Sequence, residues 1–221
     1  CAFRIERPRR PEVPTEGGVL RDGRRAAGNA GDPTMSADPA PVASSRGWPG
    51  DFLAAGARAT LLGDKEADLF VALYGDPATM RHVAPVLDLQ AAHRAFAAAL
   101  RQMRADPPAA RYWRLETVSG ADGLLSLVLD ADGRTAETGL LLPRAAQAQG
   151  VATAALGHLC DAVLRADAFD ALWTRHRIGH AAAVGLMRRL GFVPEVPAGG
   201  WQRWRLDRRT WRALVDAPPA D

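Results

Sequence analysis

Residues 111 to 165 constrain this chain more than any other stretch. Three runs, "RYWRLETV", "LLSLVLD" and "AETGLLL", alternate apolar and polar residues and are separated by "SGADG" and "ADGRT". Asp-Gly turns between alternating runs make hairpins, so the stretch predicts an antiparallel meander of three strands. After the third strand comes "PRAAQAQG", then "VATAALGHLCDAVLR", where Leu156, Leu159, Cys160 and Val163 share one helical face. A sheet whose last strand feeds a helix must be covered by that helix, which points to a mixed α/β fold.

The flanks extend the same pattern. "ARATLL" reads as a strand, and "GDKEADLFVALYGD" as a helix capped by Asp64 that turns Leu69, Phe70 and Leu73 inward. "LDLQAAHRAFAAALRQMRA" is a second helix, with Leu89, Phe96, Leu100 and Met103 at helical spacing. Downstream, "DALWTRH" reads as a strand and "HAAAVGLMRRL" as a helix ended by Gly191. The strands "GFVPEV" and "GWQRWRL" flank the turn "PAGG", and "DRRTWRALV" closes the chain as a short helix. The expected architecture is a central, mostly antiparallel mixed sheet with helices on both faces.

Residues 1 to 50 are rich in Pro, Gly, Arg, Ala and Ser and show no sustained period, so they are expected to form a disordered extension. Residues 51 to 218 then form the folded domain. The chain opens on Cys1 and its first methionine is Met35, so residues 1 to 34 read as an upstream segment. At 221 residues one core is expected rather than two. No apolar run approaches the roughly 18 to 20 residues of a membrane span, so the expectation is a soluble chain with no membrane partner.

The formal charge is +3, and every basic residue except Lys65 is an arginine. Apart from "RPRR" and "RRTWR" the arginines are scattered, which argues against a nucleic-acid surface. Cys1 and Cys160 read as a terminal residue and a small buried hydrophobe, not as a disulfide, metal site or nucleophile pair. A reducing, cytoplasmic setting fits that usage, and no signal peptide accompanies Cys1 to suggest lipidation. A monomer or a homodimer is expected.

The seam before the long helix carries the chemistry. The first N–H groups of a helix have no intrahelical acceptor, and with the helix dipole behind them they bind anions. Gln147, Ala148, Gln149, Gly150, Val151, Ala152 and Thr153 would offer such groups to a pyrophosphate, with Gly150 free to take unusual backbone angles and Ala152 keeping the next turn small. The seam is neither a Walker A loop, since no Lys-Ser/Thr follows, nor a dinucleotide fingerprint, since two glycines are missing.

"QAQGVA" has the form Gln/Arg-x-x-Gly-x-Gly/Ala, and in this it resembles the acyl-CoA pyrophosphate loop of the GCN5-related N-acetyltransferases (GNAT). "AETGLLL" resembles the "Glu-Ile-Gly-Tyr" strand of the ribosomal-protein-alanine acetyltransferase branch, with Glu137 ten residues ahead of Gln147. "GDPATMRHV" and "GLMRRLGF" are similar to two more motifs of that branch, in the right order. The resemblance covers residues 57 to 206 and implies acetyl-CoA as co-substrate, an amine acceptor and no metal. The acceptor would be a protein N-terminus or a small-molecule amine. The chain departs from the pattern at Ala148, where the branch has glycine, and at His180 and Ala183, where it has Asn and Ser. Residues 181 to 200 contain no tyrosine to serve as an acid.

Acetyl transfer needs a neutral amine, a polarised carbonyl and a proton for the thiolate. Amines with pKa from about 8 to 10.4 are mostly protonated at neutral pH, so a base must help. Glu137 is the first candidate, because the resemblance places it on the central strand facing the acceptor. His180 is the second, since imidazole titrates near working pH. A backbone N–H near Leu141 or Leu142 would polarise the carbonyl. Tyr74 and Tyr112 are expected to pack, the tryptophans Trp113, Trp173, Trp201 and Trp204 to line core or groove, and His82 to lie near the acceptor. The alternative to an enzyme is an inactive acyl-CoA-binding module.

Overall fold

The computed structural model describes residues 47–167 and 169–216. The expected disordered extension, with Cys1 and Met35, lies outside the described residues as far as residue 46. From there the chain forms one eight-stranded sheet ordered β1-β2-β3-β4-β5-β6-β8-β7. The strands are β1 (Phe52–Ala54), β2 (Ala57–Leu61), β3 (Ala110–Thr117), β4 (Gly123–Leu129), β5 (Thr135–Leu141), β6 (Ala171–Arg177), β7 (Val193–Pro194) and β8 (Trp201–Asp207). All neighbours are antiparallel except β5 and β6. That parallel pair is joined by a crossover helix, as a parallel connection requires.

The expected meander is β3, β4 and β5. Its register sets Trp113 opposite Leu125 and Leu127 opposite Thr138. Alternation along these strands feeds two cores. On one face α4 (Val151–Arg165), α5 (Ala181–Arg189) and α6 (Arg208–Val215) cover Trp113, Leu115, Leu125, Leu127 and Leu172. On the other, α1 (Ala67–Gly75) and α3 (Leu89–Arg104) cover Tyr112, Leu124 and Leu141. Buried indoles keep their N–H groups bonded, as burial demands. Trp113 donates to the Gly50 carbonyl at 2.9 Å, Trp211 to Asp161 at 2.7 Å and Trp204 to His176 Nε2 at 2.9 Å. Cys160 is fully buried in α4, as expected.

Local details differ from the sequence reading. Asp64 caps no helix. It begins a 3-10 turn, Asp64–Glu66, in which Glu66 reaches back to the Gly63 N–H at 2.8 Å, and Asp64 instead pairs with Arg104. Helix α1 therefore starts only at Ala67. A short helix α2 (Pro77–Met80), unforeseen, follows it with Asp76 as its cap, accepting from the Ala78 and Thr79 amides. Leu89 is 64% exposed, because it is the first residue of α3 and precedes the turn that meets the core. Ala92, Ala95 and Ala99 fill that contact along with Phe96 and Leu100.

Residues 47 to 50, assigned to the extension by composition, belong to the fold. Trp48 meets Phe169 edge to face at 5.5 Å between ring centroids, and Gly50 accepts the Trp113 hydrogen bond. β1, also unforeseen, then adds a short edge strand to β2. Deleting residues 1 to 46 should therefore leave the melting temperature unchanged. Deleting 1 to 50 exposes the Phe169 edge and orphans a buried indole, and should cost about 2 to 4 kcal/mol. Equal urea midpoints for the two truncations would contradict this.

Candidate active site

The site arises where two strands part. β5 and β6 pair only at Thr135↔Ala171, Ala136↔Leu172 and Glu137↔Trp173. Beyond that, β5 stays with β4 as far as Leu141↔Leu124, while β6 stays with β8 as far as Arg177↔Trp201. Each strand follows its other neighbour, so the sheet splits. The split opens a cleft of about 800 Å³. Leu141, Leu142, Gln147, Ala148, Gln149, Gly150, Val151, Ala152 and Thr153 all line it, as do His180 and Arg175. Glu137 does not line the cleft but is the last β5 residue paired across to β6.

The loop that enters α4 has a definite conformation. Ala148 (φ 60°) and Gly150 (φ 78°) both take left-handed backbone angles. The two glutamines brace it, a role the sequence did not reveal: Gln147 Nε2 donates to the Leu142 carbonyl at 2.9 Å and Gln149 Nε2 to the Ala145 carbonyl at 2.7 Å. The first bond of α4 runs from the Ala154 amide to the Gly150 carbonyl. The amides of Val151, Ala152 and Thr153 therefore precede the helical ladder. No side chain caps this end and no acid occupies its first turn, so nothing in the helix competes with an anion. A Cβ on Gly150 would meet nothing within 4 Å, leaving that side of the loop open.

Glu137 is only 7% exposed, and its Oε1 accepts no hydrogen bond. Arg175 Nε lies 3.8 Å away, an ion pair too long for a hydrogen bond. Burial pushes the carboxyl up to about 7, with Arg175 pulling the other way. Its negative charge also adds to the burial that raises the phenols of Tyr74 and Tyr112, so both stay protonated near it. The tyrosines are buried, as expected; Tyr74 stacks on Phe70 and Tyr112 donates to Gln102 at 2.9 Å.

Three histidines meet at the far wall. His176 Nε2 accepts from Trp204, and its Nδ1 lies 2.9 Å from the Arg177 carbonyl. That pair of contacts fits the neutral Nδ1–H tautomer, and burial lowers the pKa accordingly. His180 does not cap α5; its ring stacks on His82, 4.5 Å between centroids, and stands edge-on to His176 at 5.6 Å. Burial first, then His82 and His176, lower its pKa to about 4. His82 follows α2, and its carbonyl accepts from the Arg177 amide, tying that turn to the end of β6. Trp113, Trp173, Trp201 and Trp204 lie on β3, β6 and β8 as expected.

A sheet split beside an uncapped, glycine-entered helix makes a cleft suited to an anionic ligand. The family model of the acetyltransferase (GNAT) domain matches residues 60–193, and the chain belongs to that family. It is an acetyltransferase domain, and the fold and family expected from the sequence are both met. No curated protein matches the chain. Among solved structures it is similar to the ribosomal L7/L12 alpha-N-protein acetyltransferase RimL in complex with coenzyme A. That match has 14% identity and a TM-score of 0.59, and covers 69% of this chain and 94% of that one. It is also similar to the spermidine N-acetyltransferase from Vibrio cholerae in complex with CoA and spermine, at 15% identity and a TM-score of 0.59, covering 71% and 98%. A third is MccE, the microcin C7 self immunity acetyltransferase, in complex with acetyl-CoA and AMP, at 14% identity and a TM-score of 0.57, covering 69% and 92%. At such identities the likeness speaks for the fold.

The loop geometry sets opposite expectations at two neighbouring positions. Alanine in left-handed space costs about 1 kcal/mol that glycine avoids, against a somewhat smaller chain-entropy cost of glycine. Ala148→Gly should thus hold or raise stability by up to about 1 kcal/mol. Gly150→Val should lower it by about 1 to 3 kcal/mol. Urea unfolding checks both, and a clear loss for Ala148→Gly would contradict the assigned backbone.

Proposed function

We propose that the protein transfers an acetyl group from acetyl-CoA to a primary amine by direct attack in a ternary complex. One observation carries this: the free amides at the start of α4 and the parting of β5 from β6 open onto the same cleft. Residues 148–153 hold the pyrophosphate through backbone N–H groups, with the dipole of the 15-residue helix α4 behind them; the Gln147 amide, expected to join them, is instead taken by the Arg144 carbonyl at 3.2 Å. The thioester then reaches between the strands, where a backbone N–H near Leu141 or Leu142 receives the developing oxyanion.

Glu137 takes the amine proton, directly or through water. Magnitudes favour it over His180. A base of pKa about 7 accepts a proton from an α-amine of pKa near 8 at a cost of about 1.4 kcal/mol. His180, at about 4, faces a cost of more than 5 kcal/mol for the same transfer. Its neutral ring is better suited to shaping the cleft wall beside the leaving group. The same comparison favours α-amines over lysine-type amines, whose pKa near 10.4 sets a cost of about 5 kcal/mol even for Glu137. Once protonated, Glu137 is acidic enough to return a proton to a thiolate of pKa near 8.5.

Two readouts on Glu137→Gln test this. The kcat/KM of the unmodified protein should rise with pH through about 7, where Glu137 loses its proton. The variant should lose that inflection and about 10²- to 10⁴-fold in turnover, with little change in acetyl-CoA affinity. Stability should move the other way. The carboxyl is neutral in folded and unfolded chain below pH 4.5; between 4.5 and about 7 the unfolded chain ionises first, and folding stability falls. Above 7 the burial costs on the order of 3 kcal/mol, which the glutamine avoids. The variant should therefore melt higher at pH 8, with the gap closing toward pH 4.5. Full turnover in Glu137→Gln would remove the base from the account. Thiol release absent with every amine in a panel of peptides, polyamines and aminoglycosides would reduce the protein to a CoA-binding module.

A further inference from the structure

The face of β6 and β8 next to Glu137 carries an arrangement that acetyl transfer alone does not require. In the β6–β8 register Arg175 stands directly opposite Arg203, and Arg177 opposite Trp201. Alternation along a strand puts all four on one face, the face that Glu137 shares through its pairing with Trp173. Like charges directly opposite across a ladder are destabilising. Aromatic rings hold these guanidinium groups in place. Arg175 and Arg177 lie 5.2 and 4.4 Å from the Trp201 ring centroid, and Arg203 lies 4.1 Å from that of Trp173.

Carboxylates neutralise the group only in part. Arg175 is 3.8 Å from Glu137 and Arg203 is 3.3 Å from Glu195. The Nε atoms of Arg175 and Arg203 are buried without a hydrogen-bond partner. Arg205, by contrast, is satisfied by Asp207 at 2.8 Å. The side chains of Arg175 and Arg203 remain 34% and 42% exposed, so each keeps part of its surface accessible to a ligand. Arg175 also lines the cleft, which makes this basic face continuous with the split that receives the thioester.

We propose that Arg175, Arg177 and Arg203 form an anion subsite for the acceptor, selecting amines that also carry a carboxylate or a phosphate. This rests on the acetyl-transfer reading above. An amine brought to Glu137 has the Arg175 guanidinium beside it, so an anion on the next residue of the acceptor falls between the facing arginines. There it relieves the repulsion between Arg175 and Arg203 and takes paired N–H donors from their forks. A polyamine would bring its further positive charges to the same three cations and be disfavoured.

The test uses the full chain saturated with CoA and four probes: the C-terminally amidated dipeptides Gly-Asp, Gly-phosphoserine and Gly-Asn, and spermidine. The peptides share one amine, so calorimetric affinities isolate the anion and separate carboxylate from phosphate. Either anionic peptide should bind about 10- to 100-fold more tightly than Gly-Asn, the range of one or two charge-assisted hydrogen bonds, and spermidine should bind most weakly. Arg203→Gln should bring the preference close to one, and Arg203→Lys should restore part of it. Gly-Asn or spermidine binding as tightly as both anionic peptides, or an undiminished preference in a folded Arg203→Gln variant, overturns the subsite. Thiol release from acetyl-CoA is measured separately. Its absence with all four probes would strike the acetyl-transfer reading even if the anionic peptides bind.

Discussion

Everything distinctive in this molecule follows from the place where β5 stops pairing with β6. Three parallel residue pairs hold the two strands together, and then each is claimed by an antiparallel neighbour. A continuous sheet would have satisfied those backbone groups across the gap and left no room for a ligand. The divergence instead creates a cleft inside a rigid sheet, with α4 starting at its edge. The amides ahead of the α4 ladder are positioned by the sheet itself, through the strand that precedes them. Loop bracing by the Gln147 and Gln149 side chains, which donate to backbone carbonyls, completes the entry without using the amides of Val151, Ala152 and Thr153.

Electrostatics divides the cleft's surroundings into unlike zones. At the split, burial leaves Glu137 poised near neutrality, with one loosely paired arginine and two protonated tyrosines around it. On the far wall His180 stacks on His82 and meets His176 edge-on, and burial together with repulsion from those two rings keeps His180 neutral. Beyond Glu137 lies the arginine and tryptophan face of β6 and β8. A carboxyl pushed up to about 7 and an imidazole lowered to about 4, both by burial, reverse the ordinary order of the two groups. Environment, not residue type, is thus what favours Glu137 over His180 as the proposed base.

Much of this was legible in the sequence, for physical reasons. The meander and α4 have strong local signals, namely Asp-Gly turns, strand alternation and helical spacing of large apolar residues. The candidate loop was legible because its glycine, at a strand-to-helix junction, stands in the Gln-x-x-Gly-x-Ala spacing, and the nine residues singled out all line one cleft. Weak local signals failed. Asp64 looks like a cap, but Glu66 reaches the amide first. Residues 47 to 50 have the composition of a linker, yet Trp48 packs on a phenylalanine more than a hundred positions downstream, which no local pattern encodes. The arginine face was hidden for the same reason, because Arg175 and Arg203 become neighbours only through the β6–β8 register.

The central claim, that residues 148–153 cradle a pyrophosphate at the mouth of the split, is tested most directly by titrating isotopically labelled protein with CoA and following backbone amide resonances. The account predicts that the largest shifts fall on Gly150, Val151, Ala152 and Thr153, with smaller ones on Leu141 and Leu142. It also predicts that pantetheine, which lacks the pyrophosphate, moves the strand residues but not the loop. Saturable CoA binding that leaves those four loop amides unmoved would contradict it.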